Sequence, residues 1–155
     1  MAATSTNKQP LLVDNVLHYA INLDTATNNG LDIAGTNTAV LLVDATSTDG
    51  AILEDIYTIS RGNVAYDINL YMSSANDYLR PNQAVLVGKF DNATTAGESK
   101  RWEDMPKSLA PVPQVGADAY NRAFYVPRGR ALWVARDSTV NVTDAPIIAC
   151  QGGWY

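Results

Sequence analysis

One cysteine, Cys150, and one histidine, His18, are all that the 155-residue chain has of either. A single thiol forms no internal disulfide, which excludes the small secreted folds held together by disulfide frameworks. Cys150 follows Ile147-Ile148-Ala149 with no basic neighbour, so it reads as a buried structural thiol and not as a nucleophile. With no second histidine and a buried-type cysteine, His-based zinc sites and Cys–His dyads are not expected. A Ser-His-Asp triad on His18 lacks a nucleophile-elbow sequence. Charge is also scarce, at 17%, against about 25% for ordinary soluble domains. Such a surface suits contact with other protein. The net charge of −5 argues against nucleic acid as a partner, since that needs clustered Lys and Arg. Long apolar runs are missing too. Nothing approaches the roughly 20 residues that span a bilayer, so no membrane partner is expected. The opening "MAATSTNKQP" has no apolar h-region, which predicts a chain without a signal peptide, made in a reducing cytoplasm.

What the chain does have is short segments of period two. In "VLHYAINL" (16–23) Leu17, Tyr19, Ile21 and Leu23 share a face, the pattern of a half-buried strand. "TAVLLVDA" (38–45) is apolar on both faces and suits a central strand. "AILEDIYTI" (51–59) fits helical spacing at Ile52, Ile56 and Ile59, but its β-branched content and close turn signals favour strand. "NVAYDINLYMS" (63–73) puts Val64, Tyr66, Ile68, Leu70 and Met72 on one face and Ala65, Asp67, Asn69 and Tyr71 on the other. "AVLVGKF" (84–90), "AFYV" (123–126), "RALWVAR" (130–136) and "APIIACQG" (145–152) complete about eight strands. No segment has a capped helical pattern. The expected fold is all-β, a single antiparallel β-sandwich or jelly roll over residues 16–155, preceded by a flexible arm at 1–15.

Two intervals stand out. Residues 91–117 show no regular pattern and contain Trp102, Pro106, Pro111 and Pro113. A long Pro-rich loop is expected there, either lying across a neighbour through Trp102, Met105 and Leu109 or packed on its own domain. The second is Val126-Pro127-Arg128-Gly129-Arg130. Pro127 presets a type I turn and Gly129 supplies positive φ, predicting a hairpin of three loop residues. Asp49-Gly50 predicts another. Proline and glycine explain the corner without the arginines. Arg128 and Arg130 are therefore free to fork onto a carboxylate of a neighbouring subunit, or simply to be solvated.

Chemistry-bearing patterns are sparse. Asp24, Asp32, Asp44, Asp49, Glu54 and Asp55 are scattered over predicted turns and strand ends. The stretch from Asp24 to Asp32 lacks the acidic spacing and closing Glu of a calcium loop. No phosphate-binding glycine loop is present, and no cofactor or metal is expected. Eight Tyr and three Trp leave a sugar-binding face open as an alternative, and a small hydrolase would need His18 beside a carboxylate and a hydroxyl.

"FYVPRGRALWVA", followed by the ending "IIACQGGWY", resembles small β-sandwich structural proteins of tailed-bacteriophage virions. Val126, Pro127, Gly129 and Leu132 match a Leu-Pro-x-Gly-x-x-Leu segment of that group. Gly152, Gly153, Trp154 and Tyr155 match its Gly-Gly-aromatic ending. "NTAVLLVDATSTDGAILEDIYTI" is similar to its paired strands, with Leu53 offset by one position. The resemblance spans most of residues 15–155. It implies assembly and not catalysis: a capsid decoration (cement) protein binding the major capsid protein on the virion surface as a homo-oligomer, with a trimer expected. Tail, neck and baseplate components share the sandwich and remain the alternative. On this reading Trp102, Met105, Leu109, Trp133 and Tyr155 are the expected apolar contacts, with Arg128 and Arg130 as polar anchors.

Overall fold

The computed structural model describes residues 15–23, 39–79, 83–103, 105, 123–138 and 142–154. Its strands are β1 (Asn15–Asn22), β2 (Val40–Ala45), β3 (Gly50–Ile59), β4 (Asp67–Ser73), β5 (Ala84–Asp91), β6 (Ser99–Arg101), β7 (Phe124–Pro127), β8 (Arg130–Arg136) and β9 (Ile147–Trp154), with one 3-10 turn at Val142–Asp144. All pairings are antiparallel. One sheet runs β1-β9-β3-β6, with β7 also on β3, and the other runs β2-β8-β4-β5. The all-β sandwich expected from the period-two segments is what forms, and 51–59 is strand and not helix.

Between the sheets lies one core. β1 contributes Leu17, β3 Leu53 and Ile56, and β9 Ile148 and Cys150. From the facing sheet come Val43, Ile68, Leu70, Leu132 and Val134. Leu17 and Ile21 of β1 and the even residues of β4 pack on this core, as their spacing requires. Each such Leu, Ile or Val taken out of water contributes about 1.5–3 kcal/mol.

The second sheet is covered on its outer face as well. Tyr71, Ala131, Trp133 and Ala135 pack there with Leu79. This explains why β8 is buried at every position from Ala131 to Arg136. The segment 74–79 is pinned over that face. The Trp133 indole N–H donates to the Ala75 carbonyl at 2.9 Å. The Asn76 amide donates to Asp44 at 3.0 Å and to the Thr46 hydroxyl at 3.0 Å. Burial pushes the Asp44 carboxyl up, but these bonds and those from Thr46 outweigh it and leave its pKa lowered.

Two expectations change. Neither Asp49-Gly50 nor Pro127–Gly129 closes a hairpin. β2 and β3 lie in different sheets, and so do β7 and β8. Because β2 pairs with β8 up to Ala45↔Arg130 and β3 pairs with β7 from Gly50↔Pro127, the two crossings run side by side. A two-stranded ribbon bends through the corner and belongs to both sheets. The interval 91–117 also holds a short strand, β6, which borders β3 at Tyr57, Thr58 and Ile59. Three residues are too few for a period to be read. The remainder of that interval, apart from 91–103 and Met105, lies outside the described residues, as do residues 1–14 of the expected arm.

Candidate interaction surface

The corner comes first. Gly129 has φ 76°, as its place after Pro127-Arg128 predicted, and its N–H donates to the Ala45 carbonyl at 2.9 Å. An added Cβ there meets nothing within 4 Å, so Gly129→Ala is expected to cost about 1–2 kcal/mol from backbone strain alone, measured by urea unfolding. Arg128 lies 3.2 Å from Asp49 of the same chain, and both side chains are largely in solvent. An exposed pair like this contributes little. Arg128→Ala is expected to shift stability by less than about 0.5 kcal/mol in the same measurement. Arg130 opens β8 and is exposed. Both arginines are thus available at the tip, with Arg128 already facing its own chain's carboxylate.

The aromatic contacts are placed differently from the expectation. Trp102, Met105 and Trp133 are buried. Trp102 and Met105 belong to the core between the sheets, and Trp133 belongs to the layer outside the second sheet. They serve this chain's own fold and do not lie on its surface. The bland reading, in which the start of the 91–117 interval packs on its own domain, describes Trp102 and Met105. Leu109 and Tyr155 lie outside the described residues.

What the sequence reading missed is the apolar surface on the sheet edges. Val16 is 82% exposed and Tyr19 47% on β1, and Val85 is 65% and Leu86 46% on β5. The signal in the sequence was slight. "AVLV" looks like any buried strand until strand order makes β5 an edge. β5 also carries a register shift between Leu86 and Gly88, opposite Leu70/Tyr71, a bulge, and its place at the end of the sheet leaves both Val85 and Leu86 exposed.

Polar groups gather at one end of the sandwich, beside a groove of about 500 Å³ lined by Tyr66, Asp67, Asp91, Asn92, Glu98 and Lys100, among others. The Asn92 amide donates to the Ser60 hydroxyl at 3.1 Å and to the Ala93 carbonyl at 2.8 Å. Ser60 donates to the Gly62 carbonyl at 2.7 Å. Lys89 pairs with Asp67, and that hydrogen bond raises the lysine pKa. These bonds tie the loop 60–66 to the loop 92–98. Among the described residues no three His, Cys, Asp or Glu side chains stand together as a metal-holding set. His18 is exposed and faces Gln151 across the β1–β9 pair, with no carboxylate in register beside it. No helix of the described residues is long and apolar enough to cross a membrane.

Two buried groups set an alkaline limit. Burial pushes the Cys150 thiol up to about 12, against a hydrogen bond from the Tyr19 backbone that lowers it. Burial pushes the Tyr66 phenol up to about 12 as well, with Asp144 adding to the shift and Arg136 opposing it. Both groups keep their protons in the folded chain at pH values where the unfolded chain releases them. Their contribution is therefore fully present below about pH 9 and is lost as pH rises through about 12. A urea midpoint falling steadily between pH 9 and 11 is the expected result. Cys150 is also expected to resist a thiol reagent at pH 8 until the chain unfolds.

Set against protein-family models, curated proteins and solved structures, the chain matches none of them.

Proposed function

We propose that this chain is a structural protein of a tailed-bacteriophage virion, a capsid decoration protein that binds the major capsid protein lattice as an oligomer. The observation that carries the reading is the pair of sheet edges that hold Val16, Tyr19, Val85 and Leu86 in solvent on a scaffold whose other large apolar groups are mostly buried. Such edges are binding templates, offering unpaired backbone and apolar area together. The Val-Pro-Arg-Gly corner and the Gly-Gly-aromatic ending supply the resemblance to phage sandwiches. Copies docking on a repeating lattice would add weak contacts into tight occupancy.

The test is imaging of purified virions with this chain labelled, with copy number measured on the same particles. Hundreds of copies over the shell are expected. Tens of copies at one vertex would place the chain in the neck, tail or baseplate, and unlabelled particles would reject a virion role. Purified chain added to shells lacking it gives a second readout, in which Leu86→Asp is expected to lower occupancy at least tenfold. Trp102→Ala is unsuited to that assay because Trp102 belongs to the core.

A further inference from the structure

The edges of the two sheets are not alike. Natural sheets blunt an edge with charge, proline, a bulge or short length, because an unprotected edge pairs with another strand. β2 carries Asp44 and a register shift at Leu41/Val43. β5 carries Lys89, Asp91 and its own shift. β6 is three residues long and includes Lys100 and Arg101, and β7 is four residues ending in Pro127. β1 has none of these devices. Its eight residues, Asn-Val-Leu-His-Tyr-Ala-Ile-Asn, include no proline, acid, lysine or arginine. Its pairing with β9 runs through eight consecutive positions without a shift. Among the described residues nothing pairs with its other side, and Val16 and Tyr19 stand in solvent beside it.

We infer that β1 is a self-association edge, which pairs antiparallel with β1 of a second copy and joins two sheets into one. Self-pairing of β1 sets no like charges against each other. The chain carries a net −5, so two copies repel through most of their surfaces, and an edge free of charge is where that repulsion is least. A strand of eight residues pairing with itself about a two-fold axis adds about eight backbone hydrogen bonds. A continuous sheet keeps inward residues facing inward, so paired positions must share parity. Centring the pair on Tyr19 meets this condition. Leu17 then faces Ile21 of the second copy, Val16 faces Asn22, and the inner apolar row runs on across the joint. A closed three-fold ring built from sheet edges needs two different edges on each copy, and the other edges are charged, bulged or short. The pairing inferred here is therefore two-fold and stands in place of the expected trimer.

This adds a geometry to the self-association in the proposed function. Its test uses the purified chain with no capsid present, so either idea can fail alone. Sedimentation equilibrium from 1 to 100 µM is expected to show a monomer–dimer equilibrium. Tyr19→Lys and Val16→Lys are each expected to weaken it at least tenfold, and Val64→Lys, an exposed site away from the sheet edges, is expected to leave it unchanged. Circular dichroism checks that each variant is folded. Should the β1 variants not fold, hydrogen exchange on the unaltered chain decides the matter: β1 amides are expected to gain protection at high concentration. A monomer throughout the range, a trimer, a dimer untouched by folded Tyr19→Lys and Val16→Lys, or β1 amides indifferent to concentration would overturn the inference.

Discussion

Gly152→Ala is expected to leave almost no folded protein, a loss of more than about 4 kcal/mol. Gly152 sits in β9, the central strand between β1 and β3, opposite Leu17 on one side and Leu53 on the other. At this level β3 slips register between Leu53 and Asp55, so an extra residue of β3 crowds toward β9. A Cβ on residue 152 would stand 1.9 Å from the Ile52 carbonyl oxygen and 2.9 Å from the Leu53 Cα. Both obstacles are backbone, and rotamer changes cannot relieve the overlap. Moving β3 away would open the β3–β9 ladder along the core face. Soluble yield and chemical denaturation measure the effect. A folded variant within about 1 kcal/mol of the parent would show that the bulge yields cheaply, and the account of β9 would be wrong.

Trp102→Ala carries the second large effect, about 3–5 kcal/mol. The indole closes one open side of the sandwich. Its backbone N–H donates to the Ile56 carbonyl at 2.9 Å, which fixes the residue just beyond β6. Its ring meets Phe124 of β7 at 5.5 Å between centroids with a 56° tilt. It also lies across Gly88 of β5, so closely that a Cβ there would be 2.2 Å from the ring. Trp102 thus bridges the margins of both sheets, and its loss uncovers a seam and not a single pocket. Among the described residues the buried indole N–H has no acceptor, an arrangement that itself costs about 1–3 kcal/mol. Trp102→Phe removes that donor while keeping an aromatic ring, so it is expected to cost well under half as much as the alanine variant. Gly88→Ala supplies the cross-check. It should be severely destabilising beside Trp102 and much milder in a Trp102→Phe background, a coupling that a double-mutant cycle measures directly. Equal costs in both backgrounds would mean that the ring and the glycine do not share a contact.

These two predictions also mark where the sequence could and could not be read. Period-two spacing revealed most strands, because covering one face of a sheet forces that alternation. Leu17, Ile68 and Leu70 fell where spacing placed them. Gly129 was legible because a local turn needs positive φ. Strand partners are set by distant segments, and that is why the two corners looked like hairpins while joining separate sheets. Trp102 looked like a handle for a partner because nothing within ten residues of it signals that Gly88 and Phe124 arrive from elsewhere to receive it. Val85 and Leu86 looked like core for the converse reason. The resemblance to phage sandwiches pointed to assembly, but the choice of surfaces came from strand order. Only the position of β1 and β5 at sheet margins distinguishes them from the strands between.

The place of β9 has a further consequence for biosynthesis. β9 is the last of the described strands along the chain and yet the middle of its sheet, flanked by the first strand and the third. Until the ribosome has released residues up to Trp154, β1 has no neighbour to hold it and β3 lacks half of its ladder. The nascent chain must carry Leu17, Ile52 and Ile56, all buried in the folded sheet, unprotected until β9 emerges. Folding of this sheet is then a nearly all-at-once event that waits for β9 to emerge.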